Sequence, residues 1–158
     1  MSDLRVEKRR AAAELTLSTG QRVRGSFFLA GSSATHFGPE RIADLLNGET
    51  GFFPFAVEGQ AQAETALYNR TQLVCVKLLE STGEATLDPG YDLATERHVA
   101  MLLTNGDSIS GAVRVYRPAG RDRLSDYART GEVFRYVETP NATFIVNTTH
   151  IVELRETT

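Results

Sequence analysis

The sequence predicts a mainly β protein made of two tandem copies of one small, strongly bent, five-stranded barrel, each with a short helix inserted between strands 2 and 3. Three observations carry this. The first is a hairpin across Val99–Tyr116, in which Met101 and Leu103 face Ile109, Val113 and Val115. Its Asn105-Gly106 pair suits the two positive-φ positions of a type I′ turn. The second is an earlier copy of that hairpin. With Gly20 set on Gly106, an offset of 86 sends Leu15 to Met101, Leu17 to Leu103, Val23 to Ile109, Gly25 to Gly111, Phe27 to Val113 and Leu29 to Val115. The third is that the rest of both halves follows in the same order. The offset falls to 82 at the helix and 78 at the last strands, so length changes are confined to loops.

With 158 residues, 41% of them apolar, the chain has material for one domain or two small ones. The duplication divides it into a polar arm at 1–10, a first barrel at 11–80, a linker at 81–96 and a second barrel at 97–158. A formal charge of −3 and a pI near 5.6 give no overall attraction to nucleic acid or to an anionic membrane. The single Cys75 cannot form an internal disulfide, and the run Leu73-Val-Cys-Val76 suggests a small buried hydrophobe. No apolar h-region opens the chain, and no apolar run approaches the roughly 20 residues that span a bilayer. A cytoplasmic protein without a membrane segment is expected, and the sequons at Asn69, Asn141 and Asn147 then carry no weight.

Each element has its own reason. Residues 1–10 set Arg5, Lys8, Arg9 and Arg10 against Asp3 and Glu7 and read as a frayed arm. Strands follow at about 12–18 and 22–30, and Gly25 marks a sharp bend or a close backbone approach. Ile42, Leu45 and Leu46 have the spacing of a one-sided helix, with Pro39 before it and Asn47-Gly48 as its stop. Phe53 and Phe55 face the core from a third strand in which Pro54 removes a ladder donor, a sign of an edge or a bulge. Residues 64–68 and 72–78 are the last strands, separated by a turn in which Asn69 can bond its own backbone. Residues 81–96 hold four acids, no bases, two glycines and a proline, the composition of a surface linker. In the second copy Arg123, Leu124 and Asp126 match Arg41, Ile42 and Asp44. Phe134 and Tyr136 match Phe53 and Phe55, and Asn147, Thr149, Ile151 and Leu154 match Asn69, Thr71, Leu73 and Val76.

Leu17-Ser-Thr-Gly-Gln-Arg-Val-Arg-Gly-Ser-Phe27 and Leu103-Thr-Asn-Gly-Asp-Ser-Ile-Ser-Gly-Ala-Val113 both resemble the first motif of Sm-like proteins, hydrophobic-x-x-Gly-x-x-Val-x-Gly-x-hydrophobic. Ile145–Leu154 resembles the second. The resemblance implies a small SH3-like barrel in each half, and extends to uncharacterised bacterial proteins with a helix inserted in such a barrel. The base-contacting parts of that family differ here. The helix-bearing insertion replaces the Asp-x-x-Met-Asn-like loop, and Asn147-Thr148 and Asn69-Arg70 stand at the Arg-Gly position.

No nucleophile elbow, phosphate loop or metal-ligand spacing occurs, and His36, His98 and His150 are scattered. The expectation is a non-enzymatic scaffold without a cofactor or metal. Its partner is another protein or a further copy of itself, in a homo-oligomer or as a pseudo-dimeric monomer, because small sheets leave edges open to pairing. Two local features are candidate contacts. One is the repeated Arg-x-x-Asp pair, Arg41/Asp44 and Arg123/Asp126, which reads as a helix-surface ion pair, a tie to a neighbouring backbone, or a partner-facing motif. The other is the basic stretch with Arg114, Arg117, Arg121 and Arg123, the alternative site for RNA or a phosphate ligand. It is confined to one half: residues 11–80 hold five bases and seven acids, residues 97–156 eight and seven.

Overall fold

The computed structural model describes residues 8–31, 38–59, 64–80, 83–116, 123–129 and 131–157. The first half comprises β1 (Lys8–Leu17), β2 (Arg22–Ala30), α1 (Ile42–Gly48), β3 (Phe52–Val57), β4 (Glu64–Asn69) and β5 (Leu73–Leu78). The second comprises β6 (Thr95–Leu103), β7 (Ser108–Val115), α2 (Leu124–Arg129), β8 (Phe134–Glu138), β9 (Thr143–Asn147) and β10 (Ile151–Glu156). Each half is therefore strand, strand, helix, three strands, with a single 3₁₀ turn before the last strand.

The ten strands form one antiparallel sheet in the order β10-β6-β7-β8-β9-β5-β1-β2-β3-β4. Both halves contribute the same internal order, fifth-first-second-third-fourth strand, and they are joined where β9 of the second half pairs with β5 of the first. The sheet is not closed, and β10 and β4 are its two edges.

The hairpin turn differs from the expected type I′. Among the described residues only glycines have positive φ, so in this turn Gly106 alone takes it, at 90°, and Gly20 matches it at 89°. Gly106 N–H donates to Leu103 O, Leu103 N–H donates to Asp107 O, and the Asn105 carboxamide accepts from Asp107 N–H. This is the longer turn closed by a left-handed glycine, with Asn105 acting through its side chain. β1 begins at Lys8, so the end of the expected arm is strand, and residues 1–7 lie outside the described set.

Of the described glycines, Gly25 stands at the closest backbone approach. A Cβ there would lie 2.0 Å from the Ala56 carbonyl oxygen, and one on Gly111 would lie 2.6 Å from the Glu138 carbonyl oxygen. The same backbone approach, β2 on β3 and β7 on β8, thus requires glycine in both copies. Gly25→Ala is expected to cost about 2–3 kcal/mol of unfolding free energy, and Gly111→Ala less. Urea unfolding of the two variants measures the difference.

Two positions correct the sequence reading. Pro54 does not lie on an edge strand, because β3 has β2 on one side and β4 on the other; pairing with β2 ends at Phe55, one residue short of the proline. Phe134 and Tyr136 do not match Phe53 and Phe55. Asn69 pairs with Phe52 and Asn147 with Phe134, so Phe134 is the counterpart of Phe52, Tyr136 of Pro54, and Val137 of Phe55. The slip of one residue moves both aromatics to the other face of the sheet.

Consequently the two cores interlock. The first cluster, built on Leu15, Phe27, Phe53, Phe55 and Ile42, also takes in Phe134 and Ile145 from the second half. The second cluster, built on Met101, Val113, Val137 and Val146, takes in Val74 and Cys75 from the first. β5 is buried on both faces from Leu73 to Val76, and burial pushes the Cys75 thiol pKa up. The expected surface linker is also built in. Glu84–Leu87 and Tyr91–Leu93 form 3₁₀ turns, and Glu84 and Ala85 are buried.

Candidate functional site

The junction between the halves is held by backbone and side chain together. β5 and β9 pair as Cys75 with Val146, Val76 with Ile145 and Lys77 with Phe144. Asn147, 1% exposed, starts the following 3₁₀ turn by accepting from Thr149 N–H at 3.0 Å and from Thr149 Oγ1 at 2.6 Å. Its amide nitrogen reaches across the junction and donates to Leu73 O at 3.0 Å and Arg70 O at 3.3 Å. His150 Nε2 meets Thr71 O at 2.7 Å. A carbonyl only accepts, so Nε2 is the donor there, and Nδ1 lies 2.7 Å from Thr104 Oγ1. On the other face, Asn47 at the end of α1 clasps Phe134, its Nδ2 donating to Phe134 O and its Oδ1 accepting from Phe134 N–H, both at 2.8 Å.

At the sheet edges the same positions stand open. Val74 is fully buried in the core of the second half, and its counterpart on β10, Val152, is 62% exposed. Ile145 is fully buried against the first half, and its counterpart on β4, Leu67, is 66% exposed. Phe134 is 4% exposed, and its counterpart Phe52 is 61% exposed. Each edge therefore presents apolar side chains at positions that the internal junction covers. Asn69 repeats the turn bonds of Asn147, accepting from Thr71 N–H and Oγ1.

The Arg-x-x-Asp pairs sit at the starts of the two helices. In both, the aspartate accepts from the arginine's own backbone N–H, Asp44 from Arg41 at 2.8 Å and Asp126 from Arg123 at 3.0 Å, closing the first turn. The Arg41 side chain, 7% exposed, turns inward. It forms an ion pair with Asp44 at 2.8 Å and another with Asp88, donates to Glu84 O and stacks on Tyr136. Burial works against its charge, but the bonds to Asp44 and the fields of Tyr136 and Asp88 raise its pKa above the ordinary arginine value. Arg114 is engaged by Glu96 and by the Tyr91 hydroxyl. Arg117 and Arg121 lie outside the described residues.

Residues not singled out in the sequence complete this region. Arg70, 4% exposed, donates to the last carbonyls of α1, at Leu45 and Leu46, and to Phe52 O. Glu84 accepts from Ile42 N–H and from the Tyr136 hydroxyl. Burial pushes its carboxyl pKa above the usual range, although both hydrogen bonds favour the ionised form. A raised folded-state pKa means the folded chain binds the proton more tightly than the unfolded one. This contribution to stability is therefore full below the ordinary glutamate pKa and is lost as pH rises through the folded value. Glu84→Gln is expected to be more stable than the parent at pH 8, with the gap closing as pH falls to 4. Thermal unfolding across that range checks it.

Around these groups lies a cavity of about 480 Å³ between α1, the segment joining the halves, α2 and β8. Among the described residues, no group of three or more His, Cys, Asp or Glu could hold a metal, and no helix is long and apolar enough to cross a membrane. No protein-family model matches the chain, and comparison with curated proteins and with solved structures found no match either.

Proposed function

We propose that this chain is a non-enzymatic assembly module: two small Sm-like barrels fused in tandem, whose outer sheet edges join further copies as its inner edges join each other. One observation carries the reading. Val152, Leu67 and Phe52 are apolar and exposed at the positions where Val74, Ile145 and Phe134 are buried in the internal junction. The offset of 78 between the last strands carries the β5–β9 register onto β10 and β4. It sets Glu153 opposite Tyr68, Leu154 opposite Leu67 and Arg155 opposite Ala66 of a second copy. Glu64 then lies diagonal to Arg155 on the same face, a favourable cross-strand charge pair. The Asn47 clasp is not repeated, since Arg129 stands at that place in α2, so the intermolecular contact is weaker than the internal one.

Light scattering on the eluting protein, from low to high micromolar concentration, tests this. The expected masses are multiples of 17.3 kDa that grow with concentration. A monomer throughout contradicts the proposal.

A further inference from the structure

We propose that the inter-repeat cavity is a binding site for an uncharged, planar heteroaromatic molecule the size of a nucleoside. Four of the chain's five tyrosines, Tyr91, Tyr116, Tyr127 and Tyr136, line it. Three of these rings carry a guanidinium on their face: Arg114 at 4.2 Å from the Tyr91 centroid, Arg135 at 4.5 Å from Tyr127 and Arg41 at 5.5 Å from Tyr136. Ring faces and guanidinium planes are surfaces on which a flat π-system stacks. The volume of about 480 Å³ falls within the range of roughly 300–1,000 Å³ common for small-molecule sites, which favour the seams between units. The segment joining the repeats supplies one wall, through Ala85, Asp88, Pro89 and Tyr91.

The hydrogen-bonding inventory narrows the ligand further. Tyr91, Tyr116 and Tyr136 donate to Glu138, Asp88 and Glu84, and the Arg41 fork is taken up by Asp44, Asp88 and Glu84 O. Among the described residues, three buried side-chain donors have no partner, and two of them belong to this site: the hydroxyl of Tyr127, a residue 6% exposed, and Nε of Arg114. Both residues line the cavity. A ligand with lone pairs on its edge satisfies such groups, whereas a purely hydrocarbon ring leaves them unpaired. Among the described residues the lining carries Arg41, Arg114 and Arg135 against Asp44, Asp88, Glu132 and Glu138, three positive charges to four negative. These described residues supply no cationic excess to favour phosphate, so the proposed ligand is the base-and-sugar part of a nucleotide.

Adenosine and uridine, titrated to millimolar concentration into the full chain and followed by calorimetry and by the tyrosine ring NMR signals, are the test. Inorganic phosphate and toluene are the controls. At least one nucleoside is expected to bind, shifting the rings of the four cavity tyrosines and leaving Tyr68 in place, and neither control is expected to do so. Tyr127→Phe removes an unpartnered buried hydroxyl. It is expected to raise the unfolding temperature while weakening the nucleoside about tenfold, a pairing that a purely structural tyrosine does not produce. Arg114→Gln is expected to weaken binding as well. Absence of binding by both nucleosides, equal binding by toluene or phosphate, or unchanged affinity in both variants overturns the proposal.

Discussion

Replacing Leu67 and Val152 together by lysine is expected to leave a folded 17.3 kDa monomer at concentrations where the parent chain associates. The two side chains are 66% and 62% exposed in the single chain, so their loss removes little from its own core. Surface substitutions of this kind usually move folding stability by no more than about 0.5 kcal/mol. In the proposed assembly both become covered, as Ile145 and Val74 are in the internal junction. Covering their exposed part contributes about 1–2 kcal/mol each, and each lysine adds the cost of burying an ammonium group. The dissociation constant therefore rises by about two orders of magnitude or more. Light scattering reads the mass and thermal unfolding confirms the fold. Parent-like association of the double variant would mean that the chains meet elsewhere.

Asn147→Ala is expected to cost about 3 kcal/mol of folding stability, and Asn69→Ala only about 1 kcal/mol. Both residues start a 3₁₀ turn by accepting from the threonine two residues on, and loss of such a cap costs about 1 kcal/mol. Asn147 does more, because its amide also serves Leu73 O and Arg70 O across the junction from a position that is 1% exposed. Leaving buried carbonyls unpaired adds about 1–3 kcal/mol. Since each core contains residues of the other half, both variants are expected to unfold in one cooperative transition. Urea denaturation reports both quantities. Equal costs for the two asparagines, or separate transitions for the two halves, would show that the junction does not bind the repeats into one body.

The duplication was legible because each copy repeats residues with local duties. Gly25 and Gly111 are required by close backbone approach, Gly20 and Gly106 by positive φ, and Asn69 and Asn147 by their own turns. These duties are set within a few residues of chain or one strand pair, which is what spacing can express. Which strand of one copy meets which of the other is not expressed that way. Alternation assigns faces but names no partner, and Arg135-Tyr136-Val137 reads as a strand in either register. Matching Phe134 and Tyr136 to Phe53 and Phe55 therefore puts them on the wrong face. A signal did exist in Leu73-Val-Cys-Val76, an unbroken apolar run of the kind found in strands covered on both faces, as β5 is. The cavity was out of reach, since its tyrosines lie at 91, 116, 127 and 136, far apart in the chain, and are gathered only by the packing of α1 and the joining segment onto β8.

Disulfide capture between two singly substituted chains, Leu154→Cys and Leu67→Cys, reads the intermolecular register directly. Cys75 is 6% exposed and stays out of the exchange. Directly opposed strand residues bring their Cα atoms to about 4.4–6.8 Å, the span a disulfide accepts. Mild oxidation of the mixture is expected to give the covalent heterodimer quickly, and Leu154→Cys mixed with Ala66→Cys, shifted by one residue to the opposite face, is expected to give little. Failure of the first pair to cross-link, or equal yields from the two, would contradict the claim that the outer edges repeat the inner junction.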